Sequence, residues 1–213
     1  MNNSFNRFFL LVILILSTAL VQARDGYWQQ YVHYTMDIDF DVSKHQFKGQ
    51  QKLILVNNSP DTLNQLFYHL YFNAFKPGSA MDVRSRNIPD PDPRVADRIS
   101  KLKKSEYGNL NVDRLTLNGK PVSFTTQETI LQVFTEGQLI LPGDTVILEM
   151  AFNGQVPLQI RRSGRDNKEG IDYSMSQWYP KLCVYDEDGW HPNPYIGREF
   201  YLLNLEKSGC DSS

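Results

Sequence analysis

Cysteine and histidine are scarce in this sequence of 213 residues, with two of the first and four of the second. Cys183 and Cys210 could close one bridge in an oxidising compartment, but a single bridge is no framework and a chain this long needs none, so both are read as free thiols. His33, His45, His69 and His191 are scattered, and no Cys-x-x-Cys or His-x-x-x-His spacing occurs, so no metal site is expected. A basic field is missing as well. Lys and Arg number 22 against 24 Asp and Glu, a net charge of −2 that excludes nucleic acid as a partner. Gly and Pro follow no period and no apolar heptad persists, which excludes collagen and coiled coil, while 41% hydrophobic and 12% aromatic residues exclude disorder. His-Glu-x-x-His, Gly-x-Ser-x-Gly, Gly-x-x-x-x-Gly-Lys and Gly-x-Gly-x-x-Gly are all absent, so no catalytic residue is assigned.

What is present begins with a leader. Residues 1–23 combine a polar start bearing Arg7, an apolar run from Phe8 to Leu16, and small or short residues before a cut after Ala23. The run stops at Ser17, short of the roughly 20 residues a bilayer crossing needs. A cleaved signal peptide is therefore read in preference to a spanning helix, and the mature chain is expected to be exported to the periplasm or the extracellular space.

From Tyr34 the pattern has a period of two, with Met36, Ile38, Phe40 and Val42 apolar and Asp37, Asp39 and Asp41 between them. The three acids resemble part of a calcium loop, but the glycine and the distal Glu are missing, so solubility or edge protection is the reading. Further strands are expected over 47–56, 63–72, 112–117, 122–124, 130–134, 139–141 and 145–152, with Asn118-Gly119 and Pro142-Gly143-Asp144 as turns. Prolines at 77, 89, 91 and 93 make 77–93 an extended excursion. Asp92 then caps one short helix, with Val95, Ile99 and Leu102 at helical spacing and Gly108 as its stop. The fold class is mainly β, an antiparallel curved, saddle-like sheet or sandwich with one short helix.

Three segments invite a chemical reading. Arg161, Arg162 and Arg165 surround Gly164 and could grip a phosphate or carboxylate, although a solvated turn with arginines pairing to local acids is favoured. Trp178, Tyr179, Trp190 and Tyr195 could form an aromatic platform, the basis of a second functional reading as a secreted module binding glycan or peptide. Packing of the same rings into a core competes with it.

The third is Ser176-Gln177-Trp178-Tyr179-Pro180. With Asn57-Asn58-Ser59-Pro60-Asp61-Thr62-Leu63 ahead of Phe67-Tyr68-His69-Leu70-Tyr71, and Leu141-Pro142-Gly143-Asp144 ahead of Phe152-Asn153-Gly154-Gln155-Val156-Pro157, it resembles the N-terminal β-domain of the M1 (gluzincin) zinc aminopeptidases, in their exported bacterial branch. The resemblance runs from about Tyr27 to Phe200, within an expected, C-terminally incomplete domain of 24–200, and leaves 201–213 as a polar tail. It implies a saddle-like β-domain that helps to cover the zinc site of a following domain. It also implies a substrate-binding role for Gln177, whose amide oxygen would accept a hydrogen bond from a peptide's free ammonium. Satisfying nearby backbone, on one strand face with Met175 and Tyr179, is the competing reading of Gln177. The family's zinc motif, general-base glutamate and Gly-x-Met-Glu-Asn segment do not occur. The expectation is a truncated member, noncatalytic and inactive alone, with no zinc of its own, acting on peptide only beside a zinc-bearing catalytic domain or polypeptide.

Overall fold

A computed structural model describes residues 27–88 and 95–197. The leader at 1–23, Asp92 and Pro93, Cys210 and the tail at 201–213 lie outside the described residues. Eight strands build two antiparallel sheets: β1 (Tyr31–Asp41), β2 (Gln46–Val56), β3 (Gln65–His69), β4 (Asn109–Leu117), β5 (Lys120–Pro121), β6 (Phe124–Gln127), β7 (Ile130–Phe134) and β8 (Thr145–Gln155). The larger sheet runs β1-β2-β8-β4-β5. The smaller runs β3-β7-β6 with β11 (Lys181–Leu182) added beside β3. Four further strand segments are short: β9 (Gly164–Arg165) pairs with β10 (Tyr173–Ser174), and β12 (Tyr185–Asp186) pairs with β13 (Gly189–Trp190).

Period-two patterning decides which faces meet. Phe47, Leu53 and Leu55 of β2 and Val146, Leu148, Met150 and Phe152 of β8 are buried, as are Leu66 and Tyr68 of β3 and Leu131 and Val133 of β7, all within one core. Two glycines make room for two rings. Gly49 pairs across the ladder with Phe152 and Gly154 with Phe47, so each benzyl group lies over the glycine opposite it. A Cβ built on Gly49 would stand 2.2 Å from the Phe152 ring, and one on Gly154 2.3 Å from the Phe47 ring. Overfilling this contact would force the sheets apart.

The motif segments that precede β3 and β8 touch one another. Asn57 is fully buried: its Nδ2 donates to the carbonyls of Asp61 (2.8 Å) and Ile140 (3.1 Å), and its Oδ1 accepts from the Ser59 hydroxyl (2.6 Å) and from Gln30 Nε2 (3.0 Å). Its main-chain N–H donates to Asp144 O at 2.9 Å, and its carbonyl accepts from Gly143 N at 2.7 Å. One amide thus ties both turns together, beside the Leu63–Ile140 bridge that also joins them.

Four expectations are corrected. The stretch 77–93 is not wholly extended, because it holds the helix α1 (Ala80–Asn87). Ser79 caps it, accepting from Asp82 N at 3.1 Å, while the Asp82 carboxylate accepts from Gly78 N at 2.9 Å. The helix expected after Asp92 reduces to a 3-10 turn at Ile99–Lys101 within a run of i to i+3 bonds, since Ala96 takes φ +35° and interrupts an α-helical ladder. Strand 63–72 is shorter than its aromatic run: it ends at His69, and Tyr71–Ala74 turn as a 3-10 helix whose Asn73 amide pairs with both main-chain groups of Leu110. The second half of the Asn118-Gly119 hairpin, expected over 122–124, is split into β5 and β6. Among the described residues no helix is long and apolar enough to cross a membrane.

Candidate functional site

The 176–180 segment joins the two sheets. It enters from β10, where Ser163 Oγ donates to Ser174 O (3.2 Å) and accepts from Ser176 N (3.2 Å). It leaves into β11, whose Lys181 and Leu182 pair with His69 and Tyr68. Between these anchors Gln177 bends the chain at φ +54°, a left-handed conformation that costs a non-glycine residue about 1 kcal/mol. Gln177 is therefore on a bend and does not share a strand face with Met175 and Tyr179.

Aromatic side chains hold that bend on its C-terminal side. Trp178 meets Phe47 edge to face at 5.4 Å and Tyr179 at 5.6 Å, and Tyr179 meets Tyr34 at 5.5 Å. Gln51, buried in β2, donates through Nε2 to Pro180 O at 2.9 Å, and Leu182 N donates to the Tyr34 hydroxyl at 2.9 Å. Burial pushes the Tyr34 and Tyr68 phenols up and the buried, free Cys183 thiol with them, so all three stay protonated at neutral pH. A half-buried Gln177 is thus presented from a firmly packed base.

The other sequence candidates do not converge on it. Trp190 packs on Tyr185 (5.0 Å) and Phe67 (5.9 Å), while Tyr195 packs on Tyr71 (5.5 Å) and Phe75 (6.2 Å). Together with Trp178 and Tyr179 these rings lie half-buried against the core in three separate places, so they do not form one platform. The arginines diverge likewise. Arg165 is buried, with Nη2 donating to Ser105 O at 3.0 Å and Nη1 paired with Asp166. Arg162 is exposed, and the Arg161 guanidinium lies beside Gly197. The local-acid reading holds for Arg165.

Each histidine has its own setting. His33 is exposed, His45 Nδ1 lies 2.6 Å from the Tyr173 hydroxyl, and His191 Nε2 lies 2.7 Å from Asp186 Oδ1. His69 is buried and stacks on Tyr71 at 4.8 Å; burial, aided by the nearby Lys181, lowers its pKa to about 4, so it is neutral. Among the described residues no three His, Cys, Asp or Glu side chains are grouped so that they could hold a metal ion. Sequence reasoning missed Asn57 and Gln51 as organising residues; a polar residue at an inward position of an apolar strand was the available signal for Gln51. A shallow cavity of about 440 Å³ also opens on the larger sheet, lined by residues that include Thr35, Asp37, Lys52, Arg114, Thr116 and Glu149, none of them a candidate from sequence.

No protein-family profile and no curated protein matches the chain. Solved structures do. An M1 zinc metallopeptidase from Deinococcus radiodurans superposes with a TM-score of 0.43 at 17% identity, over 71% of this chain and 27% of that one. A mutant of that enzyme bound to a Tyr-Ser-Ala substrate gives 0.43 at 16%, over 78% and 29%. A mutant two-domain M1 zinc metallopeptidase bound to L-tryptophan gives 0.43 at 17%, over 78% and 30%. The chain therefore spans less than a third of the solved M1 zinc metallopeptidases to which its mainly β, antiparallel fold is similar.

Proposed function

We propose that this chain acts as the noncatalytic β-domain of an M1-type peptidase, orienting the amino end of a peptide for a zinc-bearing domain or polypeptide beside it. Support comes from the motif segments read in the sequence, above all Ser176-Gln177-Trp178-Tyr179-Pro180. The observation that carries the reading is the bend itself: a strained, half-buried Gln177 flanked by packed anchors, the kind of backbone strain that recurs at binding sites. Its amide oxygen accepts a hydrogen bond from an ammonium and fixes which end of a peptide enters. Zinc and the water-activating base belong to the partner, and with residues 1–23 read as a leader the pair works in an exported compartment.

The test has two arms. Purified, zinc-replete chain is offered aminoacyl p-nitroanilides; no release is expected, and measurable release would overturn the noncatalytic reading. The chain is then added to an M1 catalytic domain prepared without its own β-domain. KM should fall, and Gln177→Ala should remove about tenfold of that gain with kcat little changed, the worth of one hydrogen bond to a charged group. A KM indifferent to the added chain, or to the variant, removes the role of Gln177.

A further inference from the structure

The four sheet edges are unequal. The larger sheet ends at β1 and β5, the smaller at β11 and β6. β5 and β11 have two residues each, β5 carries Pro121, and β6 has four. Such edges are blunted by shortness and by proline. β1 has eleven residues with neither Pro nor Gly and pairs only with β2. Among the described residues, no main-chain hydrogen bond outside the β1–β2 ladder reaches 31–41. Alternate residues of β1 therefore present N–H and C=O groups at an open edge.

We propose that β1 pairs with β1 of a second copy, antiparallel about Met36, joining two five-stranded sheets into one. The strand's own sequence selects that register. Centred on Met36, the pairing uses every residue of β1. On the inner face Tyr34 stands opposite Ile38, Val32 opposite Phe40, and Met36 opposite itself. Tyr34, Met36, Ile38 and Phe40 are only half-buried in one chain and Val32 is 37% exposed, so all gain cover. On the outer face His33 stands opposite Asp39, Thr35 opposite Asp37, and Tyr31 opposite Asp41, so each acid meets a hydrogen-bond donor. Moving the centre to Asp37 sets that carboxylate against itself, and moving it to Ile38 sets Asp37 against Asp39 twice. Moving it to Thr35 leaves Phe40 and Asp41 without partners, and an odd slip turns apolar residues to water. The exposed acids of β1 thus act as a register filter: they oppose the wrong pairings and leave one full-length pairing free of like charges. This inference is independent of the reading of Gln177.

Residue 35 tests it cleanly, because Thr35 is exposed and its neighbour within the chain is Lys52 on β2. In the dimer it faces the second copy's Asp37. Sedimentation equilibrium of the purified chain over a concentration series should show a monomer–dimer equilibrium. Thr35→Asp should raise the dissociation constant about tenfold through two symmetry-related like-charge contacts, and Thr35→Lys should lower it several-fold. Chemical denaturation should move the other way, because Asp beside Lys52 favours the fold and Lys opposes it. Loss of the dimer in a Thr35→Asp chain that is no less stable cannot then come from unfolding. A monomer at every concentration, or a dimer that both substitutions leave unchanged or shift in the same direction, overturns the proposal.

Discussion

The sandwich up to Val156 and the segment 157–197 are built by different means, although both pack on one core. In the sandwich, long ladders carry the backbone hydrogen bonds and alternate side chains fill the interior. In the later segment the strands shrink to two residues each, and single side chains do the joining: Arg165 to Ser105, Gln51 to Pro180, the Tyr185 hydroxyl to Asp61 Oδ2 at 2.9 Å, and Tyr195 N to Thr129 Oγ1 at 2.8 Å. Regular pairing spreads stability over many residues, whereas side-chain joints place it at a few. That leaves the later segment free to take unusual backbone angles, including the left-handed one at Gln177.

The contrast can be broken at its strongest point first. Asn57→Ala should cost about 4 kcal/mol of unfolding free energy in a denaturant titration, because it removes a fully buried amide and its hydrogen bonds to Asp61 O, Ile140 O, Ser59 Oγ and Gln30 Nε2 at about 1 kcal/mol each. A cost below about 1 kcal/mol would mean that the turns stand without it.

Next comes the pH response of the sandwich through His69. Its folded pKa, about 4, lies below the ordinary 6.5, so the unfolded chain takes up the proton first as pH falls. Stability is full above pH 6.5, declines as pH falls toward 4 and is flat below, a loss of about 3 kcal/mol. His69→Phe should flatten that window when denaturation midpoints are measured between pH 4 and 7.

Gly154→Ala follows, costing about 2 kcal/mol by driving a methyl group into the Phe47 ring. The same glycine-to-alanine change at Gly170, where a Cβ would meet nothing within 4 Å, meets only the strain of its positive φ and should cost about 1 kcal/mol. Equal costs would show that the Phe47–Gly154 contact adapts. Smallest is Gln177→Gly: relief of the left-handed strain should raise unfolding free energy by up to about 1 kcal/mol. A loss of stability in the glycine variant would show that the side chain is a structural tie.

The sandwich was the legible part. Period-two alternation marked Met36, Ile38 and Phe40 of β1 as one inward face, and they pack half-buried on the core, while Asn118-Gly119 marked its turn, because a half-buried strand writes its burial directly into residue order. Helix α1 was hidden. It exposes Val83 and buries Asp82 and Ser85, so no apolar stripe announces it, and only Ser79 three residues ahead of Asp82 gave a start signal. The bend at Gln177 was hidden in another way: φ +54° on a glutamine follows from anchors distant in sequence, Tyr34, Phe47 and Gln51, and no local rule predicts it. For the same reason the rings of Trp178, Trp190 and Tyr195 read as one surface when taken by composition, although their packing partners are three different parts of the core.

All three tryptophans share one allegiance. Trp28 rests on Tyr185, Trp190 on the same tyrosine, and Trp178 on Phe47 where the 176–180 bend docks. Indole emission is therefore a gauge of whether the later segment is seated, while far-ultraviolet circular dichroism follows the ladders. Should the two optical signals part company during a denaturant ramp, with emission changing first, the segment peels away as a unit and leaves the sandwich standing.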